Sequence, residues 1–268
     1  MKVLAIFENP ALEAEFGANG CELIPARSVE EFEAVRDLEP DFVLVDEKQA
    51  EAADVLVRIK AEIDGPDRDR LPILAIGTRG NGRSLRCLPD VAFSQGTVAD
   101  IVKAGKQLIL KRARQRRLFD QEAILKVPTT PENVERVGEM LEQLIAPAGY
   151  SEEDQVKLAH TLREAIGNAA EHGNKRDPER TIHVDFLRSA DRLTVVVTDE
   201  GSGFDTSSFL SRADQVSALE HTRSRRATEA RPGGLGVFIM RQTCDEITFN
   251  DAGNSILLMK YLPNHVRA

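Results

Sequence analysis

A chain of 268 residues, of which 41% are hydrophobic, has enough apolar side chains to bury the cores of two ordinary globular domains. No apolar run approaches the length that crosses a bilayer and the opening residues show no cleavage-site pattern, so a cytoplasmic protein without membrane contact is expected. The net charge of -9 argues against a direct contact with nucleic acid, although KRARQRR at 111–117 is locally basic. The three scattered cysteines lack the spacing of a zinc site or a disulfide framework and are expected to be reduced packing residues.

Residues 1–96 are predicted to form a first α/β domain around a parallel sheet. Short apolar runs alternate there with amphipathic stretches, which is typical of βα units; the runs are KVLAIF, CELIP, DFVLVD, LPILAIG and VAF. In open sheets of this kind, functional residues gather at the carboxyl ends of the strands. The residues at those ends are Glu8 and Asn9 after the first run, Asp46 after the third, and Gly77 and Thr78 after the fourth.

This first segment resembles a response-regulator receiver domain, because PDFVLVD places Asp46 where that family carries its phosphorylated aspartate. The resemblance implies a flavodoxin-like fold. The family's pair of metal-holding acids is reduced to Glu8 with Asn9, and its lysine after the fifth strand is replaced by Ser94 or Gln95. Two interpretations stay open: Asp46 is a phosphoacceptor with Glu8 in an acidic site, or it is a strand-ending acid in a degenerate receiver that serves for docking or dimerisation.

The connection between the two halves is predicted to be a long helix. Residues 97–126 lack proline and carry apolar side chains at roughly helical spacing. A continuous helix would carry a rotation or a dimer rearrangement from one domain to the other. A helix that only packs on the first domain as its final element explains the same pattern. Between the fourth and fifth strands, residues 78–90 leave little room for the receiver family's usual fourth helix.

In the second half, a helix is predicted to begin after Ser151 and to end at Gly173. Glu164 and Asn168 lie four residues apart on a polar stripe, separate from the stripe of Leu158, Leu162, Ala165, Ile166 and Ala169. A carboxylate and an amide one turn apart suit Mg-assisted phosphate chemistry, because the amide offers a neutral oxygen to the metal and the carboxylate accepts a proton. Ordinary solvent-facing polarity is the alternative. His172, one turn further, is expected to pack.

Two glycine turns follow this helix. The second of two strands runs into DEGSGFD, so Asp199, Gly201 and Gly203 lie at a strand end, where a carboxylate can accept a hydrogen bond from an adenine amino group. A tight inter-strand turn is the alternative. After a polar stretch at 206–232, typical of a lid or a binding loop, three glycines precede an apolar helix: Gly233, Gly234 and Gly236. Unpaired N–H groups at a helix start attract an anion such as phosphate.

The order of these pieces over residues 127–262 resembles the GHKL ATPase domain. Within that superfamily, REAIGNAAEHGN and GGLGVFIMRQTCDEITF resemble the anti-sigma-factor serine kinases of bacterial partner-switching systems rather than sensor histidine kinases. The resemblance implies that residues 127–268 form an α/β sandwich with a mixed sheet, which holds ATP and Mg between helices and sheet. It also implies that Glu164 is the candidate base, that Asn168 holds Mg, and that Asp199 reads the adenine.

The same resemblance gives the glycines their roles. Gly201 and Gly203 make room for the base, and the Gly233, Gly234 and Gly236 turn meets the ATP phosphates. Ser255 is a candidate for the hydroxyl that helps to read the purine. The expected function is phosphorylation of a serine on a STAS-domain anti-sigma antagonist, with a sigma factor as competing partner, a homodimeric assembly and regulation by the receiver-like domain. The alternative is an ATP-dependent module that sequesters a sigma factor without phosphate transfer.

Overall fold

The structure is a computed structural model that describes residues 1–35, 37–46, 48–49, 51–62, 71–76, 85–94, 96–114, 119–203 and 235–264. Contacts divide the chain into two compact units, Met1–Lys126 and Val127–Ala268. No helix among the described residues has the length and apolar character needed to cross a bilayer.

The first unit contains a five-stranded parallel sheet. Its strands are β1 (Lys2–Ile6), β2 (Glu22–Pro25), β3 (Phe42–Asp46), β4 (Ile73–Ile76) and β6 (Val91–Phe93), in the order β2-β1-β3-β4-β6. Its helices are α1 (Pro10–Ala18), α2 (Val29–Val35), α3 (Ala52–Glu62) and α4 (Val98–Arg114). This is the strand order of flavodoxin-like sheets, so the predicted parallel α/β arrangement is confirmed. The assignment as a receiver domain stays a prediction.

Helix α4 is shorter than predicted and belongs to the core of the first unit. Its residues Val98, Ile101 and Val102 are buried together with side chains of β1, β3 and β4. Gly105 faces the Phe42 ring so closely that a Cβ would lie 2.9 Å from Cε1. The helix ends at Arg114, and β7 (Gln121–Pro128) occupies the end of the predicted 97–126 helix.

The sequence of β7 explains why the helix does not extend to residue 126. Ala123, Leu125 and Val127 are all 0% exposed and alternate with half-buried residues, which is the two-residue period of a strand. The short strand β5 (Arg86–Cys87) pairs antiparallel with the part of β7 that lies in the first unit. Strand β5 lies in the connection that was predicted to be too short for a fourth helix.

The second unit combines a sheet with helices. Its further strands are β8 (Thr181–Arg188), β9 (Arg192–Thr198), β10 (Glu246–Phe249) and β11 (Ser255–Tyr261), in the order β10-β11-β9-β8-β7. Its helices are α5 (Pro131–Ile145), α6 (Glu152–Asn168) and α7 (Leu235–Thr243). The apolar stripe predicted for α6 is confirmed, because all five of its residues are at most 6% exposed.

The sheet of the second unit is antiparallel, which corrects the mixed sheet expected from the sequence. Strand β9 pairs antiparallel with both β8 and β11, and β11 pairs antiparallel with β10. The reason is local: residues 189–191 and 250–254 are short connections, and a connection of that length joins neighbouring strands only as a hairpin.

Candidate functional site

Helix α6 presents Glu164 and Asn168 at its carboxyl end. Ser151 caps the helix, since its Oγ accepts a hydrogen bond from the Asp154 N–H at 3.2 Å. Across to α5, Arg163 donates to Glu142 Oε1 at 2.7 Å, which links the two helices at an exposed position. Glu164 and Asn168 are half-buried. Neither side chain hydrogen-bonds to another residue in the part of the chain that the structure describes, so both polar groups remain available to a ligand.

The helix stops at Gly173 as predicted, but its α-helical part is shorter. That part ends at Asn168, and residues Ala169–Gly173 form a π turn closed by a 2.8 Å hydrogen bond from the Asn174 N–H to the Ala169 carbonyl. The wider turn takes His172 out of the four-residue series of Glu164 and Asn168. His172 is exposed, so the expectation that it packs is wrong. Single π turns inside helices often lie at functional sites.

Asp199 follows β9 and is held on its main chain by the β10–β11 connection. Its N–H donates to the Asn254 carbonyl at 2.9 Å, and Asn254 Nδ2 donates back to the Asp199 carbonyl at 3.1 Å. The Gly201 N–H donates to Asp199 Oδ1 at 2.8 Å. Burial raises the pKa of this carboxyl above its ordinary value, while the Gly201 hydrogen bond and the charges of Arg180 and Lys175 oppose that shift. A partly desolvated carboxylate is a strong hydrogen-bond acceptor.

Three glycines let the backbone close around this carboxylate. A Cβ on Gly173 would lie 2.2 Å from Asp199 Cγ, and a Cβ on Gly201 would lie 2.5 Å from the Gly173 carbonyl oxygen. Gly203 has a φ of 72°, and a Cβ there would lie 1.7 Å from the Ala252 carbonyl oxygen. Side chains at these positions are therefore sterically excluded, which brings the end of α6, the Asp199 turn and the β10–β11 connection into one place.

Two hydroxyl groups pair across the strands directly before the Asp199 turn. Ser255 pairs with Thr198 in the β9–β11 register, and their Oγ and Oγ1 atoms are 2.7 Å apart. Both residues are half-buried. Ser255 was singled out from the sequence as a purine-reading hydroxyl, whereas Thr198 was not. The only local signal for Thr198 is its place directly before Asp199 at the strand end.

Sequence reasoning also missed Asn174 and the contact that Gly173 makes. Gly173 was interpreted as a helix stop, yet it is the surface against which Asp199 lies. Asn174 is 0% exposed and bonded to Thr129, Thr181 and Glu200. Thr129 and Glu200 are distant in sequence from Asn174, so no local pattern identifies these two contacts.

Part of the predicted phosphate loop can be placed. Gly236 lies in the first turn of α7, a helix that packs against α6. At the other end of α7, Lys260 Nζ donates to the Thr243 carbonyl at 2.9 Å and satisfies an unpaired carbonyl of the last turn. Gly233, Gly234 and the predicted lid at 206–232 lie outside the described residues.

In the first unit, the structure gives less support to the predicted phosphoacceptor site than it gives to the nucleotide site of the second unit. Asp46 is half-buried at the end of β3, and its Oδ1 accepts from the Lys48 N–H at 3.0 Å. Glu8 is exposed, while Asn9 Oδ1 accepts from the Leu12 N–H at 3.2 Å and caps α1. Over the described ranges, no group of three or more histidine, cysteine or acidic side chains is arranged to hold a metal ion. Gly77, Thr78 and Gln95 lie outside those ranges.

Comparison with known proteins assigns the second unit to a family. Residues 127–260 match the family described as the histidine kinase-like ATPase domain. The chain is similar to the serine-protein kinase RsbW of Bacillus subtilis (strain 168), with 31% identity over 139 residues that cover 52% of this chain and 84% of that protein. Two further RsbW proteins, from Listeria monocytogenes serotype 4b (strain F2365) and Bacillus licheniformis, are also 31% identical over 139 residues, which is 52% of this chain. The matched region covers 85% of the Listeria protein and 84% of the Bacillus licheniformis protein.

These matches confirm the resemblance drawn from the second half of the sequence. They cover the helix with Glu164 and Asn168, the Asp199 turn and the closing hairpin, and leave the first unit unassigned. Because the family match extends over half of the chain and the relatives are matched over most of their length, the chain belongs to the histidine kinase-like, or GHKL, ATPase family and is a relative of its serine-protein kinases.

Proposed function

We propose that this chain binds ATP with Mg and transfers the γ-phosphoryl group to a serine of a partner protein. The observation that supports this most directly is the contact between Asp199 and Gly173. It places the carboxylate expected to read adenine against the end of the helix that carries Glu164 and Asn168.

The adenine end of the site consists of Asp199 with the hydroxyls of Thr198 and Ser255. Asp199 Oδ1 already accepts from the Gly201 N–H, and the carboxylate is the acceptor for the amino group of the base. Gly173 and Gly201 let the backbone pack directly against this carboxylate, because a Cβ on either residue would meet protein atoms. Selectivity for adenine follows, because a site that bonds an amino group leaves a buried acceptor unpaired when that group is missing.

The phosphate end consists of Asn168, Glu164 and the start of α7. Mg keeps several waters in its coordination shell and binds through substrate phosphates and one or two protein oxygens. Asn168 would supply such an oxygen. The metal, when bound, neutralises charge on the phosphates. Gly236 would offer its N–H group in the first turn of α7.

Glu164 is the proposed base for transfer. The serine Oγ of the partner attacks the γ-phosphorus, the bond from that phosphorus to the β–γ bridging oxygen breaks, and ADP leaves. The serine proton passes to the Glu164 carboxylate. Glu164 is half-buried and lies one helical turn before Asn168, so the proton acceptor lies next to the proposed metal ligand on the same helix.

The proposed substrate is a STAS-domain anti-sigma antagonist, with a sigma factor as the competing partner and a homodimer as the working assembly. The similarity to proteins named serine-protein kinase supports serine as the acceptor. Phosphorylation adds about two negative charges to a packed surface and separates the antagonist by repulsion and desolvation. The first unit, as a receiver-like docking domain, would bias the choice of partner.

A transfer assay tests the proposal. Purified full-length protein is incubated with γ-labelled ATP, Mg and a candidate STAS protein, and we expect label on one serine of that protein. Calorimetry with ATP and Mg on the same preparation measures binding separately. Failure to bind ATP would reject the proposal outright. Binding of ATP and partner without transfer would replace it with a module that sequesters its partner without chemistry.

A further inference from the structure

Asn174 is a buried amide whose polar atoms are paired with three different segments. Its Nδ2 donates to Thr129 Oγ1 at 2.8 Å and to the Thr181 carbonyl at 3.0 Å, and its Oδ1 accepts from the Glu200 N–H at 2.8 Å. The residue is 0% exposed. A buried amide is unfavourable unless it is hydrogen-bonded, so both ends of this side chain are held in place by their partners.

The two ends of the Asn174 amide contact different kinds of structure. Thr129 follows β7 and Thr181 begins β8, so the Nδ2 end is anchored to the sheet. Thr129 Oγ1 is itself fixed by a 3.0 Å hydrogen bond to the Arg180 carbonyl. The Oδ1 end holds the amide of Glu200, which lies between Asp199 and Gly201 in the turn after β9. Asn174 therefore joins the rigid sheet to the turn that carries the adenine-side carboxylate.

The main chain of Asn174 adds a link to the phosphate side. Its N–H closes the π turn on Ala169, the residue after Asn168. Gly173, directly before it, lies against the Asp199 carboxylate. One residue thus connects the end of the helix that carries Glu164 and Asn168 with the turn that carries Asp199.

We propose that Asn174 is a positioning residue for nucleotide recognition, which sets the Asp199 carboxylate to accept from the purine amino group and so favours ATP over purine triphosphates without that group. The inference rests on the proposed function and deepens it. Asn174 acts through the Glu200 amide: when that peptide is fixed, the Gly201 N–H also stays in place to bind Asp199 Oδ1. The Glu200 side chain and carbonyl are also bonded, to Thr181 and Arg180. Asn174 is the residue that holds the Glu200 N–H, so its loss should loosen the direction of the Asp199 carboxylate.

The first test uses the wild-type protein without nucleotide. Amide hydrogen exchange followed by NMR should show a slowly exchanging Glu200 N–H, because this group has a buried acceptor. Exchange at the rate of an unstructured peptide would overturn the proposal without any variant having to fold.

The second test compares the affinity for ATP with that for purine riboside triphosphate, which lacks the amino group. A hydrogen bond to a charged group corresponds to a preference for ATP of about 10- to 100-fold in wild type. Asn174→Ala should reduce that preference at least about fivefold, by weakening ATP more than its analogue. The matched control is Thr129→Val, which removes the sheet-side partner of Nδ2 and leaves the Glu200 contact. It should lower the melting temperature and keep the preference.

The outcomes separate this inference from the proposed function. If wild type binds neither triphosphate, the proposed function fails and this inference fails with it. If wild type prefers ATP and Asn174→Ala keeps the full preference, only the positioning role is rejected. Equal loss of preference in Thr129→Val would also reject it, because general loosening of the unit would then explain both variants.

Discussion

The carboxylate of Asp199 lies against the backbone of Gly173, with no space for even a methyl group between them. A Cβ on Gly173 would be 2.4 Å from each carboxylate oxygen. These residues are 26 positions apart, in a helix end and a strand end. Their contact makes a single site of two motifs that are separate in the sequence.

Gly173→Ala should therefore damage the site. The new methyl group must displace Asp199 or the π turn, which costs about 1–3 kcal/mol in a packed setting, and ATP affinity should fall at least about tenfold. Calorimetry and thermal unfolding measure the two effects. Gly167→Ala, on the same helix, is the control because nothing lies within 4 Å of its added Cβ. Unchanged ATP affinity in Gly173→Ala would show that the contact does not shape the site.

Asp199→Asn should separate binding from stability. The ordinary pKa of the carboxyl is 3.8 and burial raises it in the folded protein, so the protonated form is favoured by folding. Wild type should lose stability relative to Asp199→Asn as the pH rises from 3.8 through the raised pKa. At neutral pH the variant should be at least as stable as wild type, yet bind ATP about 10- to 100-fold more weakly. Unfolding midpoints between pH 4 and pH 8, with ATP titrations, measure both; a destabilised variant at neutral pH would contradict this account.

Glu164→Gln should remove transfer and spare binding. Glutamine keeps the shape of the side chain but cannot accept the serine proton, and loss of a general base costs about 100- to 10,000-fold in rate. Single-turnover transfer to the STAS partner gives the rate, and calorimetry gives the ATP affinity. Glu152→Gln, at the exposed start of the same helix, should leave both unchanged. A Glu164→Gln protein that transfers phosphate at the wild-type rate would exclude the residue as base.

Asp46 is not expected to accept phosphate from acetyl phosphate. The Asn9 oxygen that would complete a metal-binding pair with Glu8 is used to cap α1, so the metal that assists such a reaction lacks a ligand. Intact mass measurement after treatment with acetyl phosphate and Mg should show no added phosphoryl group. A gain that disappears in Asp46→Asn would reverse this and identify a functional receiver.

The cysteines should react slowly with alkylating reagents in the native protein. Burial raises the pKa of the Cys244 thiol to about 12 and raises that of Cys21, so little of either thiol is ionised near neutral pH. Iodoacetamide at pH 8 followed by mass spectrometry should add label to these two residues only slowly, and denatured protein should take up three labels. Rapid modification of native Cys21 or Cys244 would contradict their packing role.

Local periodicity was sufficient to predict the elements of the second unit. The buried stripe of α6 follows the helical period, and Asp199 was placed at a strand end by the run before it. The helical period gave a wrong prediction at the end of 97–126. There QEAILKVP carries apolar residues at every second position and folds as β7. The short connections account for two antiparallel pairs, β8–β9 and β10–β11, but the β9–β11 pair joins strands that are distant in the chain. The predicted mixed sheet was wrong.

The features that the sequence did not predict depend on contacts between residues that are distant in the chain. Asn174 is bonded to Thr129 and Glu200 across 45 and 26 positions, and nothing in its neighbours predicts either bond. The π turn is equally hidden, because AAEHG begins with the good helix formers Ala and Glu. The wider turn ends at Gly173, which contacts Asp199.

The π turn also matters when chains of different length are aligned. Such a turn holds one residue more than an ordinary helical turn of the same span, so Ala169–Gly173 is where a length change would be absorbed. A chain one residue shorter at this point would continue as a regular α-helix, and each later side chain would be rotated by about 100° around the helix axis. Its asparagine would then point away from the sheet. An alignment that allows no gap across this stretch pairs residues that lie about 100° apart around the helix.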